Sequence, residues 1–567
     1  MKKRIGSLLL VVAMCLTLLP TAAFAVDDEE TATAPEKFAI TSVVDLQAFA
    51  NAVNKGDYDG KTDAVVTLDA DLSLSDGYAW APIGNDFDAN GNLQHHFSGK
   101  FYGNGHTISN LDFSESYGKY SSVGFFSEIY DAEISGLTVQ GKVDVSNAGY
   151  IYFGSIAGVA VNSKIFDCVS DVSFTDTERA DINGTAAMCG YAINTTIDHC
   201  QNNGNYTIAK DVSQFWIGGI VGLAQESTIQ YCVNAGAITS WASYAGGIVG
   251  QLYSNSKVIN CYSSGKLVPL DKGSRDIGGI AGTVGGGTEI RHCYFSGNID
   301  VTQYTATTPY MRLGGISGNV SSNTPIFENN YFIETENVTA CSKYPNAGVA
   351  KSIDNMKTET FLNAINNAGG HYQFNPNSTP VLPAPKYTVS FDITPTDNLT
   401  GVTVKIGEET LDLTSKKIAL AAGTYNVTVE GTSFSKEITI TADTATHTQA
   451  LDLSADYTKV DAALAKVPSD VNGYTDASVA ALNAAIAAVD RTKNITEQTA
   501  VDAMATAIEN AIAGLTRKSS GSSGSSTPRY EVTAPGQTAG GTVSVSPKKA
   551  SKGSTVTITV APAEGYE

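Results

Sequence analysis

The chain has 567 residues, with 57 acidic against 36 basic side chains and a formal charge of −21 at neutral pH. A surface this acidic is repelled by nucleic acid and by anionic lipid, which sets both aside as partners. The length predicts several domains, and 54 glycines among abundant Thr, Val, Ile and Tyr point to strands with tight corners over most of them.

The first element reads as an export signal over residues 1–25. Lys2, Lys3 and Arg4 precede an apolar run from Leu8 to Leu19, and Ala23 and Ala25 supply the small residues of a cleavage site. That run is short for a membrane span, and no other segment approaches one. Cys15 does not read as a lipid anchor, because Met14 precedes it and more apolar residues follow. Without the signal, 57 acidic groups face 33 basic ones, a charge of −24.

Next, Ser42 and Asp45 have capping-box-like spacing, and Leu46, Phe49 and Val53 share one helical face. A short helix covering the first coil of the next region is expected. The stretch from Asp86 to Asn92 resembles a calcium loop, with Asp86, Asp88 and Asn90 at alternate positions before Gly91. Phe97 stands where the bidentate Glu is needed, so an Asp-rich turn is preferred and no metal ligand is assigned.

From about residue 120 the chain repeats itself. Cys168, Cys200, Cys232, Cys261 and Cys293 form one column, with Leu137 before them and Asn330 after. Gly158, Gly190, Gly222, Gly250, Gly282 and Gly318 form a second, with Ser127 in the earliest copy. Phe125, Ile156, Met188, Ile220, Ile248, Ile280 and Ile316 stand two residues before it. Ile165, Ile197, Ile229, Val258 and Ile290 stand three residues before the cysteines. One copy cannot bury its apolar face alone, but stacked copies can, so a parallel β-solenoid is expected, with equivalent residues roughly 4.8 Å apart. If Ile and Cys both point inward, a three-residue step between them requires a bulge or corner.

The mature chain would hold seven cysteines, the five of the column plus Cys189 and Cys341. The count is odd, and parallel Cβ vectors in a column suit a bridge poorly, so a ladder of buried free thiols is favoured. No CxxC spacing supports a metal site.

Parallel β-helices include polysaccharide-cleaving enzymes, which need clustered carboxylates on one outer face, or a base with calcium. The outward column before the cysteines reads Asp167, His199, Tyr231, Asn260, His292 and Asn329, without an acid pair at hydrolase spacing. Asp198 and Arg291 lie one column over and three coils apart. There is no His-Glu-x-x-His, and no Ser, His and Asp constellation above chance. No catalytic, cofactor-binding or metal residue is assigned. Tyr262, Tyr294 and Tyr331 share the column after the cysteine, followed by Phe295 and Phe332. Exposed, the tyrosines would hold sugar rings or a protein; half-buried, they are ladder packing, the preferred reading.

These phrases resemble a known family. The Gly-Gly-Ile-Val-Gly runs with their T-I-x-x-C-x-x-x-G halves are similar to the GLUG-motif repeats of bacterial surface proteins. The lead-in agrees, from Asp45-Leu46-Gln47-Ala48-Phe49-Ala50 through Trp80-Ala81-Pro82-Ile83-Gly84 to FYGNGHTISNL. The resemblance covers about 38–383. It implies a right-handed parallel β-helix on an exported protein, and no particular activity.

Met356, Phe361 and Ile365 predict a second covering helix before Pro376 and Pro380 end this region. Alternating segments over 387–453 predict a small β-sandwich. Over 456–517 the period changes. Val460, Leu464 and Val467 make one helical face, Val479, Leu482, Ile486 and Val489 a second, and Val501, Met504, Ile508, Ile512 and Leu515 a third. Thr475 and Thr496 are the expected N-caps. This three-helix module resembles the FIVAR modules of Gram-positive surface proteins. A Ser/Gly tether over 518–528 follows. Residues 529–567 resemble the opening half of a repeat that often precedes S-layer homology modules, and the sequence is expected to stop within it, leaving a strand unpaired.

The expected whole is mainly β and non-catalytic: an exported surface protein acting as stalk or adhesin, with a cell-wall or extracellular glycan or protein as partner. The alternatives are a polysaccharide-active β-helix enzyme, which the short insertions near 269–276 and 303–312 disfavour, and a glycan-binding module without turnover.

Overall fold

Each repeat folds into one coil, because its apolar columns find their buried partners only in the coils above and below. The computed structural model describes residues 37–566 apart from 76–77, 87–92, 115–120, 146–150, 177–181, 209–214, 271–274, 303–310, 323, 337, 442–446, 520–527 and 535–538. The expected signal peptide, Asp88 and Asn90, much of both insertions and the Ser/Gly tether therefore lie outside the described residues. Strand makes up 43% of the chain and helix 14%, so the protein is mainly β, with a solenoid of about eight turns.

One coil shows the pattern. Trp216–Gly218, Val221–Gln225, Thr228–Gln230, Val233–Asn234 and Ile238–Ser240 follow each other. Each pairs in parallel with its counterparts in adjacent coils, so that Ile197 faces Ile229 and Ile229 faces Val258. Among the described residues, the resulting ladders hold ten, seven, seven and thirteen strands.

Two kinds of corner close the coil. Between the two seven-stranded sheets, Gly-Gly-Ile-Val-Gly turns the chain where backbones nearly touch. A Cβ on Gly222 would lie 2.6 Å from Gly190 O, and one on Gly282 would lie 2.5 Å from Gly250 O, so only glycine fits. The second corner is left-handed. Asp167, His199, Tyr231, Asn260, His292 and Asn329 all have φ between 50° and 52°. This is the corner expected between Ile and Cys: it returns the chain so that Ile197 and Cys200 are both buried.

The corner also explains the cysteine. The thiol of Cys232 sits 3.1 Å from Gln230 O and 3.6 Å from Ile197 O, one coil back. A small apolar side chain with a weak donor fills that space. Asn330 does the same at the end of the column, donating to Ile290 O at 2.7 Å and accepting from Cys293 N at 3.0 Å. All seven cysteines among the described residues are free and buried. Burial pushes the thiols of Cys168, Cys200, Cys232 and Cys261 well above their usual range.

A hydroxyl ladder went unread in the sequence. Ser163 N donates to Thr195 Oγ1 at 3.2 Å, Thr195 N to Ser227 Oγ at 3.0 Å, and Ser227 N to Ser256 Oγ at 3.0 Å. It satisfies amides at a corner where the sheet ladder is interrupted.

The helix Val43–Asn54 forms as expected, with Ser42 as N-cap and Leu46, Phe49 and Val53 buried. Phe49 covers the first coils, its ring 5.5 Å from Phe97 and 5.8 Å from Phe101. The other expected cover lies elsewhere. Ile353–Met356 and Glu359–Asn366 do bury Met356, Phe361 and Ile365, but against one flank of the rod. The last coil is joined instead by the chain near Ala340, whose carbonyl accepts from Ile316 N at 3.0 Å.

The chain divides into two compact units, the solenoid with its covering helices in the first and the helices between 458 and 513 in the second. After the solenoid come a three-stranded and a four-stranded sheet. Lys386–Thr394 in the first of these alternates buried and exposed residues along its length. Thr458–Leu464, Asp476–Ala487 and Gln498–Ala513 then pack around Val460, Ala463, Val501, Ala505 and Ile508. Thr475 is an N-cap as expected. Thr496 is not: Asn494 closes a capping box there, and Thr496 sits inside the short turn Ile495–Glu497. Finally Arg529–Glu531 pairs with Lys549–Ser551, and Gly541–Ser546 with Thr557–Pro562, so the strand expected to lack a partner has one.

Candidate functional site

The outward column from Asp167 to Asn329 was the sequence's best offer for chemistry. The left-handed corner throws each of these side chains out from the rod, one per coil. There they meet the protein's own chain. After Glu359–Asn366, the segment to Tyr387 runs back along the flank, meeting earlier coils in turn.

Asn329 Nδ2 donates to Ala364 O at 3.0 Å and Ile365 O at 2.8 Å. Asn260 Nδ2 donates to Gly369 O at 3.3 Å. The Tyr372 hydroxyl donates to His292 O at 2.8 Å and lies 3.1 Å from Cys261 O. Tyr231, stacked on His199 at 4.6 Å, has His371 at 6.0 Å. At the far end the Tyr387 hydroxyl donates to Asp167 Oδ2.

The tyrosine column is packed under the same segment. Tyr262 and Tyr294 stack at 4.8 Å and 3°, and Phe361 sets its edge against Tyr294 at 5.9 Å and Tyr331 at 5.1 Å. Tyr294 is fully buried, and its hydroxyl donates to Pro380 O. Burial pushes the hydroxyls of Tyr294 and Tyr372 well above the usual range. Phe295 and Phe332 point into the core.

The acids are engaged. Burial raises the Asp167 carboxyl, opposed by the Tyr387 hydrogen bond. Asp198 binds His199 at 2.6 Å and accepts from Gln230 at 3.0 Å. Arg291 lies between Glu289 and Glu328. Asp167 and Asp198 are thus held by neighbours rather than aimed together at one bond, which is what glycoside hydrolysis requires.

Asp86 lies 3.9 Å from His95, which binds Asp59 at 2.7 Å. Among the described residues, no group of three or more His, Cys, Asp or Glu side chains is arranged to hold a metal. In the second unit a cleft of about 670 Å³ is lined by Thr432, Asp452, Asp456, Lys459, Gln498 and Asp502. Its acids are paired: Asp502 meets Lys459 at 2.7 Å and Gln498 at 3.1 Å, and Asp456 accepts from Thr458 N at 2.8 Å.

Fold and columns together define a β-solenoid repeat protein. The model of the GLUG motif matches two stretches of the repeat region, residues 242–268 and 273–302. Two solved structures are similar. One, a Bacteroides ovatus protein provisionally named an immunoglobulin A1 protease, is 16% identical, with a TM-score of 0.34 over 61% of this chain and 91% of the other. The second, named IgA1 protease, is 13% identical, with a TM-score of 0.29 over 63% of this chain and 26% of the other. Neither likeness bears on activity at these values. No curated protein matches the chain. Among the described residues, no helix is long and apolar enough to cross a membrane.

Proposed function

We propose that this is an exported, non-catalytic surface protein whose solenoid serves as a rigid stalk or adhesive face. Residues 387–453, 456–517 and 529–567 act as spacer modules toward the cell wall. The reading rests on one observation above all: the segment from Phe361 to Tyr387 meets the outward column at Asp167, Tyr231, Asn260, His292 and Asn329. A polysaccharide would have to displace that segment to reach Asp167, and His199 is engaged by Asp198 and Tyr231. GLUG repeats and the acidic balance are in keeping with a solenoid outside the cell.

The test is turnover by the purified full chain on pectin, alginate and chondroitin, with and without calcium. Immunoglobulin A1 belongs in the panel because of the names of the two similar structures. The expected result is no reducing ends, no unsaturated uronates and no heavy-chain fragments. Product formation abolished by Asp167→Ala or His199→Ala would overturn the reading. Fractionation of the native cells tests the location, and recovery of the protein inside the cell would count against it.

A further inference from the structure

Cys189–Ile193, Val221–Gln225 and Val249–Tyr253 are successive strands of one seven-stranded sheet. Ala192, Ala224 and Leu252 are buried in the core, while Tyr191, Gln225 and Tyr253 on the other face are half-buried. Register then brings the two tyrosines together. Tyr191 faces Leu223, whereas Tyr253 faces Gln225. The tyrosines therefore flank the middle strand from its two sides and reach across it until their hydroxyls meet. The two oxygens are 2.8 Å apart, and Gln225 Oε1 lies 2.7 Å from that of Tyr191 and 2.6 Å from that of Tyr253. Each phenol has a single proton, and two protons cannot bridge three such edges. The packing of the coils, and not hydrogen bonding alone, holds the phenols against each other.

We propose that Tyr191 and Tyr253 form a site of oxidative coupling, joined through their ortho carbons into a dityrosine by hydrogen peroxide and a haem peroxidase. Each phenol gives up one hydrogen atom, and the two phenoxyl radicals form a carbon–carbon bond between ortho positions. The proton on each of those carbons then moves to the ring oxygen, which restores both phenols. The two hydrogen atoms taken from the pair reduce one hydrogen peroxide to two waters. Burial pushes the Tyr191 hydroxyl above its usual range, so its proton stays in place until the electron leaves. In the product the two hydroxyls flank the new bond within hydrogen-bond reach of each other, which is the arrangement the folded chain already holds.

The chain has 26 tyrosines, so indiscriminate oxidation would scatter its products, and geometry has to select. The pair Tyr262 and Tyr294 shows what does not suit: the rings lie face on face at 4.8 Å and 3°, and the Tyr294 hydroxyl is turned to Pro380 O in a fully buried setting. Tyr191 and Tyr253 meet by their hydroxyl edges and keep part of their surface in water. The link also supplies something the chain otherwise lacks. Proteins outside the cell are commonly stapled by disulfides, but the seven cysteines among the described residues are buried and free. A bond between residues 62 apart ties three successive coils and constrains the unfolded chain. The inference goes beyond the stalk reading and does not depend on it, because the chemistry asks only for the two phenols and the oxidant.

The experiment treats the purified full chain, at low concentration, with hydrogen peroxide and a plant haem peroxidase. Sizing removes chains linked to one another, and peptide mass spectrometry maps the links within the remaining monomer. The expected product is lighter by two hydrogen atoms, shows the blue emission of a biphenol, and yields a Tyr191–Tyr253 cross-linked peptide as its main link. Tyr191→Phe and Tyr253→Phe should each abolish that peptide. Gln225→Leu, which removes the positioning acceptor, should lower its yield several-fold. Melting curves establish that the three variants are folded. The oxidised wild type should unfold at a higher denaturant concentration than the untreated chain, a shift that oxidised Tyr253→Phe does not show. No link, a main link elsewhere such as Tyr152 to Tyr191, or undiminished emission in a folded Tyr253→Phe would each overturn the proposal. An unshifted midpoint in the cross-linked chain would overturn its role as a staple. The turnover assays above report separately on the non-catalytic reading.

Discussion

Tyr262 and Tyr294 stack at 4.8 Å on one flank of the solenoid, and Trp216 and Tyr244 stack at 6.3 Å on another. The first pair lies beneath Tyr372 and its neighbours from the returning chain, and the second is only half-buried. Both stacks follow from the same cause, parallel register, which places like residues above one another whether or not anything uses them. Stacking alone is therefore no sign of a site. What separates the flanks is the partner of each polar atom: the hydroxyl of Tyr294 has a carbonyl within its own chain, and the indole of Trp216 has none.

The comparison can be broken most forcefully at the corner on which the open flank depends. Gly282→Val would place a side chain within contact of Gly250 O and Ala245 N, both backbone atoms that cannot move aside. The expected cost is more than about 4 kcal/mol, enough to prevent folding. Thiol titration reads it directly: the five column cysteines of the wild type should react only after denaturation, those of the variant at once.

The same substitution on the two flanks sharpens the contrast. Tyr294→Ala removes a fully buried ring and should cost about 3–5 kcal/mol in denaturant unfolding. Phe361→Ala should cost a similar amount, and the pair should be strongly non-additive, because each ring packs on the other. If the two effects simply add, the returning segment is not packed as described. Tyr244→Ala on the open flank should cost about 1 kcal/mol or less.

The smallest effect concerns acid. Burial raises the Asp167 carboxyl above its unfolded value, so the folded protein takes up the proton first. That contribution is fully present below the unfolded value and is lost as pH rises through the folded one. Asp167→Asn keeps an acceptor for Tyr387, tolerates the left-handed backbone and carries no charge. Melting temperatures measured from pH 3 upward should therefore show a flatter slope for the variant. An unchanged slope would mean that Asp167 does not titrate in this range.

What the sequence determined by itself was the repeat and its consequences. Cys168 to Cys293, the glycines and the isoleucines define the coil, because a column must bury the same kind of residue each time. The capped helix at Ser42 and the three helical faces of 456–517 were legible for a similar reason: their hydrogen bonds and apolar spacings are local. The cap at Asn494 was misassigned to Thr496 because several Ser, Thr and Asn side chains nearby were equally able to serve. The hydroxyl ladder of Ser163, Thr195 and Ser227 was missed, since small polar residues at corners carry no apolar period. Only the tertiary structure decided which flank is covered. Met356, Phe361 and Ile365 announce an apolar face, but nothing local says whether it lies over the end of the rod or along its side. That choice depends on residues far apart in the chain, Tyr387 reaching Asp167 and Asn329 reaching Ile365, and contacts at that separation leave no spacing in a sequence to read.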